Sequence, residues 1–147
     1  MRDRQAPPPT RDEFPALRPQ ATRWADDDRY GHVNNVVHYS YFDTAVNGEL
    51  IDRLGRDVRD LPAIGLVVET ACRYLEPLGF PDRLEVGVAV ERLGTSSITY
   101  EVAVFREGAD TPASYGSFTH VYVDVGSRRP VPVPDEIRSA VAGLQRP

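Results

Sequence analysis

The chain has 147 residues, a formal charge of −5 and a pI near 5.2. That length suits one domain, and the acidic balance excludes the clustered Lys and Arg on which nucleic-acid affinity rests. One cysteine, Cys72, excludes an internal disulfide and a multi-cysteine zinc site and points to a cytoplasmic protein, while no apolar run approaches the roughly 20 residues that cross a bilayer.

All 17 basic side chains are arginine, a residue suited to phosphate and carboxylate recognition. Residues 1–20 place Pro7, Pro8, Pro9, Pro15 and Pro19 among charges and lack the apolar centre of a signal peptide. They read as a flexible, polyproline-like tail, with one domain running from residue 21 to 147. Ala21 to Asp26 is the first strand candidate, with Trp24 as its main apolar anchor. Next, Tyr39, Phe42, Val46, Leu50 and Leu54 recur at spacings of three and four. That is the apolar stripe of an amphipathic helix, which Asn34 or Asn35 can cap and Gly55 can end.

Strand patterns follow. Ala63 to Leu75 is long and partly continuous in its apolar residues. Leu84, Val86, Val88 and Val90 alternate with Glu85, Gly87, Ala89 and Glu91, and Ile98, Tyr100, Val102 and Val104 alternate likewise. A period of two marks strands with one buried face. Gly94-Thr95-Ser96-Ser97 makes a turn between these two. Ala113 to Val125 is the last strand, and Asp135 to Leu144 can form a short terminal helix. One helix followed by a strand meander is an α+β arrangement in which the helix buries its stripe on an antiparallel sheet. A core of this size leaves little room for a deep pocket, which a second subunit can help to wall.

Between the first strand and the helix lies Asp26-Asp27-Asp28-Arg29-Tyr30-Gly31-His32-Val33-Asn34-Asn35. Such polarity at an element junction costs free energy unless each group finds a partner. A carboxylate there can act as base or nucleophile. The first N–H groups of the helix have no partner inside it and carry partial positive charge. Gly31 lets a ligand or backbone approach, or simply serves the turn. His32 and the two asparagines order the loop, and His32 can also orient water. Asp26 reads as structural and Asp27 as solvated.

This ten-residue stretch resembles the D-x-D-x-x-G-H-V-N-N active-site segment of the 4-hydroxybenzoyl-CoA thioesterase family of hotdog-fold enzymes. The element order agrees, as do Gly94-Thr95-Ser96-Ser97, the strand His120-Val121-Tyr122-Val123-Asp124 and the ending Arg128-Arg129-Pro130-Val131-Pro132-Val133-Pro134. The resemblance implies a hotdog fold, a curved antiparallel sheet wrapped around a central helix. It implies hydrolysis of an acyl thioester of CoA or of acyl-carrier protein, with Asp28 as the catalytic carboxylate and the backbone N–H of Asn35 polarising the carbonyl. Glu69, mid-strand in an apolar run, is a rival or partner carboxylate, since some hotdog thioesterases take theirs from another element; a salt bridge to Arg73 explains it equally well. Gly31, Asn34 and Tyr39 join the substrate-binding candidates, Tyr39 being either pocket wall or core. Arg92, Thr95, Ser96 and Ser97, with Arg128 as a second choice, can meet the phosphates or pantetheine of the carrier.

The same comparison implies no cofactor (CoA belongs to the substrate), no metal, and a homodimer or homotetramer. No phosphate-binding glycine loop or G-x-S-x-G elbow is present. Two alternatives stay open: a hotdog hydratase or dehydratase using an Asp and a His, and a non-catalytic acyl-CoA-binding regulatory domain.

Overall fold

The structure, a computed structural model, describes residues 1–146. Its elements are strand β1 (Ala16–Ala21), a 3-10 turn (Trp24–Asp26), helix α1 (Asn35–Leu54), strands β2 (Ala63–Tyr74), β3 (Arg83–Leu93), β4 (Ser97–Arg106) and β5 (Ser114–Asp124), and helix α2 (Asp135–Val141). The strands form one antiparallel sheet in the order β1-β3-β4-β5-β2. This is the hotdog arrangement expected from the sequence.

The apolar stripe of α1 makes the centre of the core. Phe42 and Val46 are fully buried and Leu50 nearly so, packed with Val86, Val88, Tyr100, Val102, Val104, Phe118 and Tyr122 of the sheet. The helix starts where the Asn34 side chain accepts the Val36 N–H at 3.0 Å. It stops at Gly55, whose φ of 67° is the left-handed conformation that glycine adopts at least cost.

Alternation along the strands sends a second set of side chains to the outer face. Ala89, Ala103, Phe105 and Tyr115 cluster there with Phe14. Gly87 makes that contact possible, because a Cβ there would lie 2.6 Å from the Phe14 ring. The first residues run along this face. Arg2 pairs with Glu101, which is only 2% exposed, at 2.6 Å, and the Met1 amino group meets Glu91 at 3.0 Å.

Two expectations near the N-terminus are corrected. The first strand is Ala16–Ala21 rather than Ala21 to Asp26, so residues assigned to the tail belong to the sheet: Pro19 faces Glu85 and Gln20 faces Leu84. Pro19 reads as a breaker, yet β1 is an edge strand, the place where a sheet admits proline. Trp24 does not anchor a strand. It stands 81% exposed in the 3-10 turn, with its ring edge-on to Phe80.

Candidate active site

The polar motif folds into a tight loop closed by a bridge between Asp27 and Val33. The Asp28 N–H donates to the His32 carbonyl at 2.9 Å, and the Gly31 N–H donates to the Asp28 carbonyl at 3.1 Å. Gly31 has φ of 77°, and a side chain there would meet only open space, so the turn itself requires the glycine. The Val33 N–H reaches the Leu78 carbonyl at 2.7 Å. Asp27, expected in solvent, accepts the Phe80 N–H at 3.1 Å and ties the loop to the segment before β3.

Asp26 is the buried foundation of this loop, 1% exposed. Burial works to raise its pKa. The Tyr41 hydroxyl at 2.7 Å, the Arg23 N–H at 2.9 Å and the Arg23 guanidinium together outweigh that and hold it below the usual carboxylate range. Its own carbonyl accepts the Asn34 N–H at 2.8 Å, which sets the cap residue of α1.

A cleft of about 470 Å³ opens beside this loop, at the N-terminus of α1. Asp28, Tyr30, His32, Asn35, His38 and Tyr74 line it. One Asp28 oxygen, Oδ1, accepts the Tyr30 N–H at 2.8 Å; Oδ2 has no protein partner among the described residues. The Asn34 side chain and carbonyl take the N–H groups of Val36 and Val37. The Asn35 N–H, the first of the helix, is left without a protein acceptor among the described residues. The Asn35 carbonyl is held by the Tyr74 hydroxyl at 2.8 Å. Asp28, with one carboxylate oxygen unpartnered, and Asn35, whose N–H is unpaired at the positive end of a helix dipole, thus line one cleft.

The sequence reading missed His38 and Tyr74. His38 is 3% exposed, its Nδ1 lies 2.7 Å from Ser114 Oγ, and its ring meets Tyr74 edge-on at 5.0 Å. Burial pushes its pKa down to about 4, so the imidazole is neutral at pH 7. The signal was present: His38 lies three residues beyond Asn35, one turn along the same helix face. Cys72, half-buried in the strand beside this cluster, has its thiol pushed up to about 11 by burial and is no thiolate at neutral pH.

Other candidates lie elsewhere in this chain. Glu69 is exposed on β2 opposite Thr119, with no ion pair among the described residues, Arg73 included. Arg73 instead binds the carbonyls of Arg2 and Asp3. Tyr39 packs half-buried against Phe42 and the core rather than in the cleft lining. Asn34 acts through its cap. Arg92, Thr95, Ser96 and Ser97 sit at the β3–β4 turn, where Ser97 faces Val121 and Val121 faces Leu66. That is the end of the sheet where β2 begins, whereas the cleft lies where β2 ends, at Tyr74. The turn is braced by Arg138, which donates to the carbonyls of Gly94 and Thr95. Arg128, at φ 62°, lies in the loop after β5 at that same far end. Among the described residues no three His, Cys, Asp or Glu gather as metal ligands, and no helix is long and apolar enough to cross a membrane.

The fold is that of the hotdog class, and its polar cleft lies at the start of the central helix. The chain matches the thioesterase-like superfamily over residues 22–141 and belongs to it. It is 30% identical over 127 residues to the 1,4-dihydroxy-2-naphthoyl-CoA hydrolase of Thermosynechococcus vestitus, covering 80% of this chain and 82% of that one. The crystal structure of the PA5185 protein of Pseudomonas aeruginosa superposes with a TM-score of 0.91 at 49% identity, over 95% of this chain and 98% of the other. BH1999 gentisyl-coenzyme A thioesterase superposes with a TM-score of 0.76 at 22% identity, over 86% and 100%, a likeness of fold. This protein is a thioester hydrolase.

Proposed function

We propose that the protein cleaves acyl-CoA in the cleft at the N-terminus of α1, with Asp28 as the catalytic carboxylate and the Asn35 N–H as the oxyanion donor. The observation that carries this reading is the shared cleft: Asp28 with a free oxygen, and an unpaired helix-start N–H, line one opening. Asp28 takes a proton from water as that water attacks the thioester carbonyl, or attacks the carbonyl itself to give a mixed anhydride that water then opens. Negative charge builds on the carbonyl oxygen where the helix dipole and the Asn35 N–H stabilise it. The C–S bond breaks and CoA leaves as a thiolate, a leaving group of pKa near 8.5 that needs no prior protonation. Neutral His38, oriented by Ser114, shapes the wall. No cofactor takes part. The relative named for a dihydroxynaphthoyl thioester supports an aromatic acyl-CoA as the first substrate to try.

The active unit in this reading is a homodimer built on β2. That edge strand exposes Leu66, Val67 and Val68 at 38%, 47% and 59%, an apolar edge of the kind proteins pair or cover. Antiparallel pairing of two β2 strands sets the Tyr74 end of one beside the Ala63 end of the other. Arg92, Thr95, Ser96, Ser97 and Arg128 of the partner subunit then approach the cleft and meet the carrier's phosphates. Acyl-carrier protein shares the pantetheine arm and serves as a second carrier to assay. A cytoplasmic location fits the single thiol.

Asp28→Asn tests the assignment. Release of free thiol from a panel of acyl-CoAs should fall by roughly 10²–10⁴-fold, with circular dichroism and unfolding midpoint unchanged. Near-normal release by that variant refutes the role. Asn35→Ala should keep most activity, because the backbone N–H acts and the side chain does not.

A further inference from the structure

His38 stands in the first turn of α1, and its ring keeps one nitrogen free. The residue is 3% exposed and lines the cleft. Nδ1 lies 2.7 Å from Ser114 Oγ, and Nε2 has no protein partner among the described residues. Nor is Nε2 sealed, because the buried unpartnered side-chain atoms among the described residues belong to Tyr100, His120 and Arg146. The little exposure this ring retains therefore includes its unpaired nitrogen.

Helix side chains lean towards the N-terminus, over the turn before their own Cα. His38 is three residues beyond Asn35 and shares its face of the helix. Its ring therefore leans towards the helix start, where the Asn35 N–H is unpaired. Tyr74 packs edge-on against the ring at 5.0 Å and Tyr41 lies at 6.1 Å, so its position is fixed. Tyr74 is anchored in turn by its hydroxyl on the Asn35 carbonyl at 2.8 Å.

The hydrogen-bond network decides where the ring proton sits. Ser114 is fully buried, so its hydroxyl hydrogen needs an acceptor inside the protein. The acceptors it meets among the described residues are His38 Nδ1 and the sulfur of Cys72, a thiol that burial pushes up to about 11. A thiol accepts weakly and an imidazole nitrogen accepts well. The hydroxyl therefore donates to Nδ1. Burial pushes His38 down to about 4, so the ring is neutral and its single proton stays on Nε2. The other tautomer would strand the Ser114 hydrogen.

A neutral N–H at this place suits one task. Its basic nitrogen is engaged by Ser114, so it takes no proton from water, and it brings no charge to a phosphate. It can donate to an oxygen on which negative charge grows. We propose that His38 Nε2–H is a second donor to the thioester carbonyl oxygen, beside the Asn35 N–H, and so a catalytic residue. The proposal rests on the acyl-CoA reading of the cleft. No proton leaves His38: its hydrogen bond tightens as the oxyanion forms and relaxes as the C–S bond breaks and the carbonyl returns.

The test uses the full chain and a CoA analogue in which a methylene group replaces the thioester sulfur, with the resulting ketone isotope-labelled. The analogue binds without being cleaved, and the infrared stretch of its carbonyl reads the donors on that oxygen. Binding to the unaltered protein should lower the stretch. His38→Phe should bind the analogue and lose a large part of the shift, while His38→Gln, whose amide nitrogen reaches where Nε2 lies, should keep most of it. With acyl-CoA, kcat should fall about 10²–10³-fold in His38→Phe and KM should change little. Should His38→Phe not fold, Ser114→Ala serves: it frees the ring to take the other tautomer and should lose part of the shift. A carbonyl as strongly shifted in His38→Phe as in the unaltered protein overturns the proposal, whatever happens to turnover. So does an unshifted carbonyl in the unaltered protein, which also removes the Asn35 donor. Asp28→Asn should leave the shift in place, so failure of the Asp28 assignment is read separately.

Discussion

The two ends of α1 each border a buried histidine, and the two histidines differ in one respect. His38 and His120 are 3% and 2% exposed, and burial pushes both down to about 4. His38 has a partner, Ser114, and stands in an open polar cleft. His120 has none at Nδ1 and faces apolar walls. Burial alone decides that both are neutral. Hydrogen bonding separates them: one ring is fixed by Ser114, the other is held by the aromatic rings around it. The N-terminal end spends its polar groups on a rigid loop, while the C-terminal end keeps one polar atom unpaired.

The largest expected effect tests how much of the N-terminal end rests on Asp26. Asp26→Ala strands the Tyr41 hydroxyl and the Arg23 N–H beneath the loop. Urea unfolding should show a loss of about 3 kcal/mol, accompanied by a drop in turnover, because the same residue positions Asn34. Unchanged stability would mean that the loop is held by its backbone bonds alone, and the contrast between the ends would weaken.

A titration then compares the histidines directly. Each has a folded pKa near 4 and an ordinary value of 6.5. Between those values the unfolded chain binds a proton that the folded chain refuses, so stability falls as pH drops from 6.5 towards 4. The slope is at most about 1.4 kcal/mol per pH unit for each histidine. His38→Phe and His120→Phe should each remove one share, read from urea unfolding across that pH range. Asp26 does not confuse the reading. Its pKa is lowered, so its contribution is complete above the ordinary carboxylate pKa and is lost only as pH falls below it.

Much of this was legible in the sequence where periodicity and capping coincide. The helix runs from Asn35 to Leu54 because the stripe through Phe42, Val46 and Leu50 is bounded by Asn34 and Gly55. The long strand ends within one residue of its expected limit, and the motif does meet the helix start at a cleft. Less legible was anything set by long-range packing. β1 escaped because its alternation is weak and Pro19 is tolerated only through the edge position. Trp24 looked like core because one large apolar side chain carries no direction of its own. The chemistry of His38 depends on Ser114, 76 residues away, and the packing of His120 on a glycine in another strand. Glu69 looked costly in its apolar run, but that run is an exposed edge.

The smallest effect divides the helix ends most cleanly, because two substitutions should cost the same stability and differ in activity. Asn34→Ala removes the side-chain acceptor of the Val36 N–H, a capping loss of about 1 kcal/mol. Gly55→Ala forces a Cβ onto a residue at φ 67° with open space around it, so its cost is backbone strain alone, also about 1 kcal/mol. Only the first touches the residue beside the Asn35 N–H. Thiol release should therefore fall about tenfold or more in Asn34→Ala, chiefly in kcat, since small misplacements of a catalytic group cost that much. It should be unchanged in Gly55→Ala at matched folded fraction. Equal losses in both variants would mean that activity follows global stability, and that the helix start has no special place in the reaction.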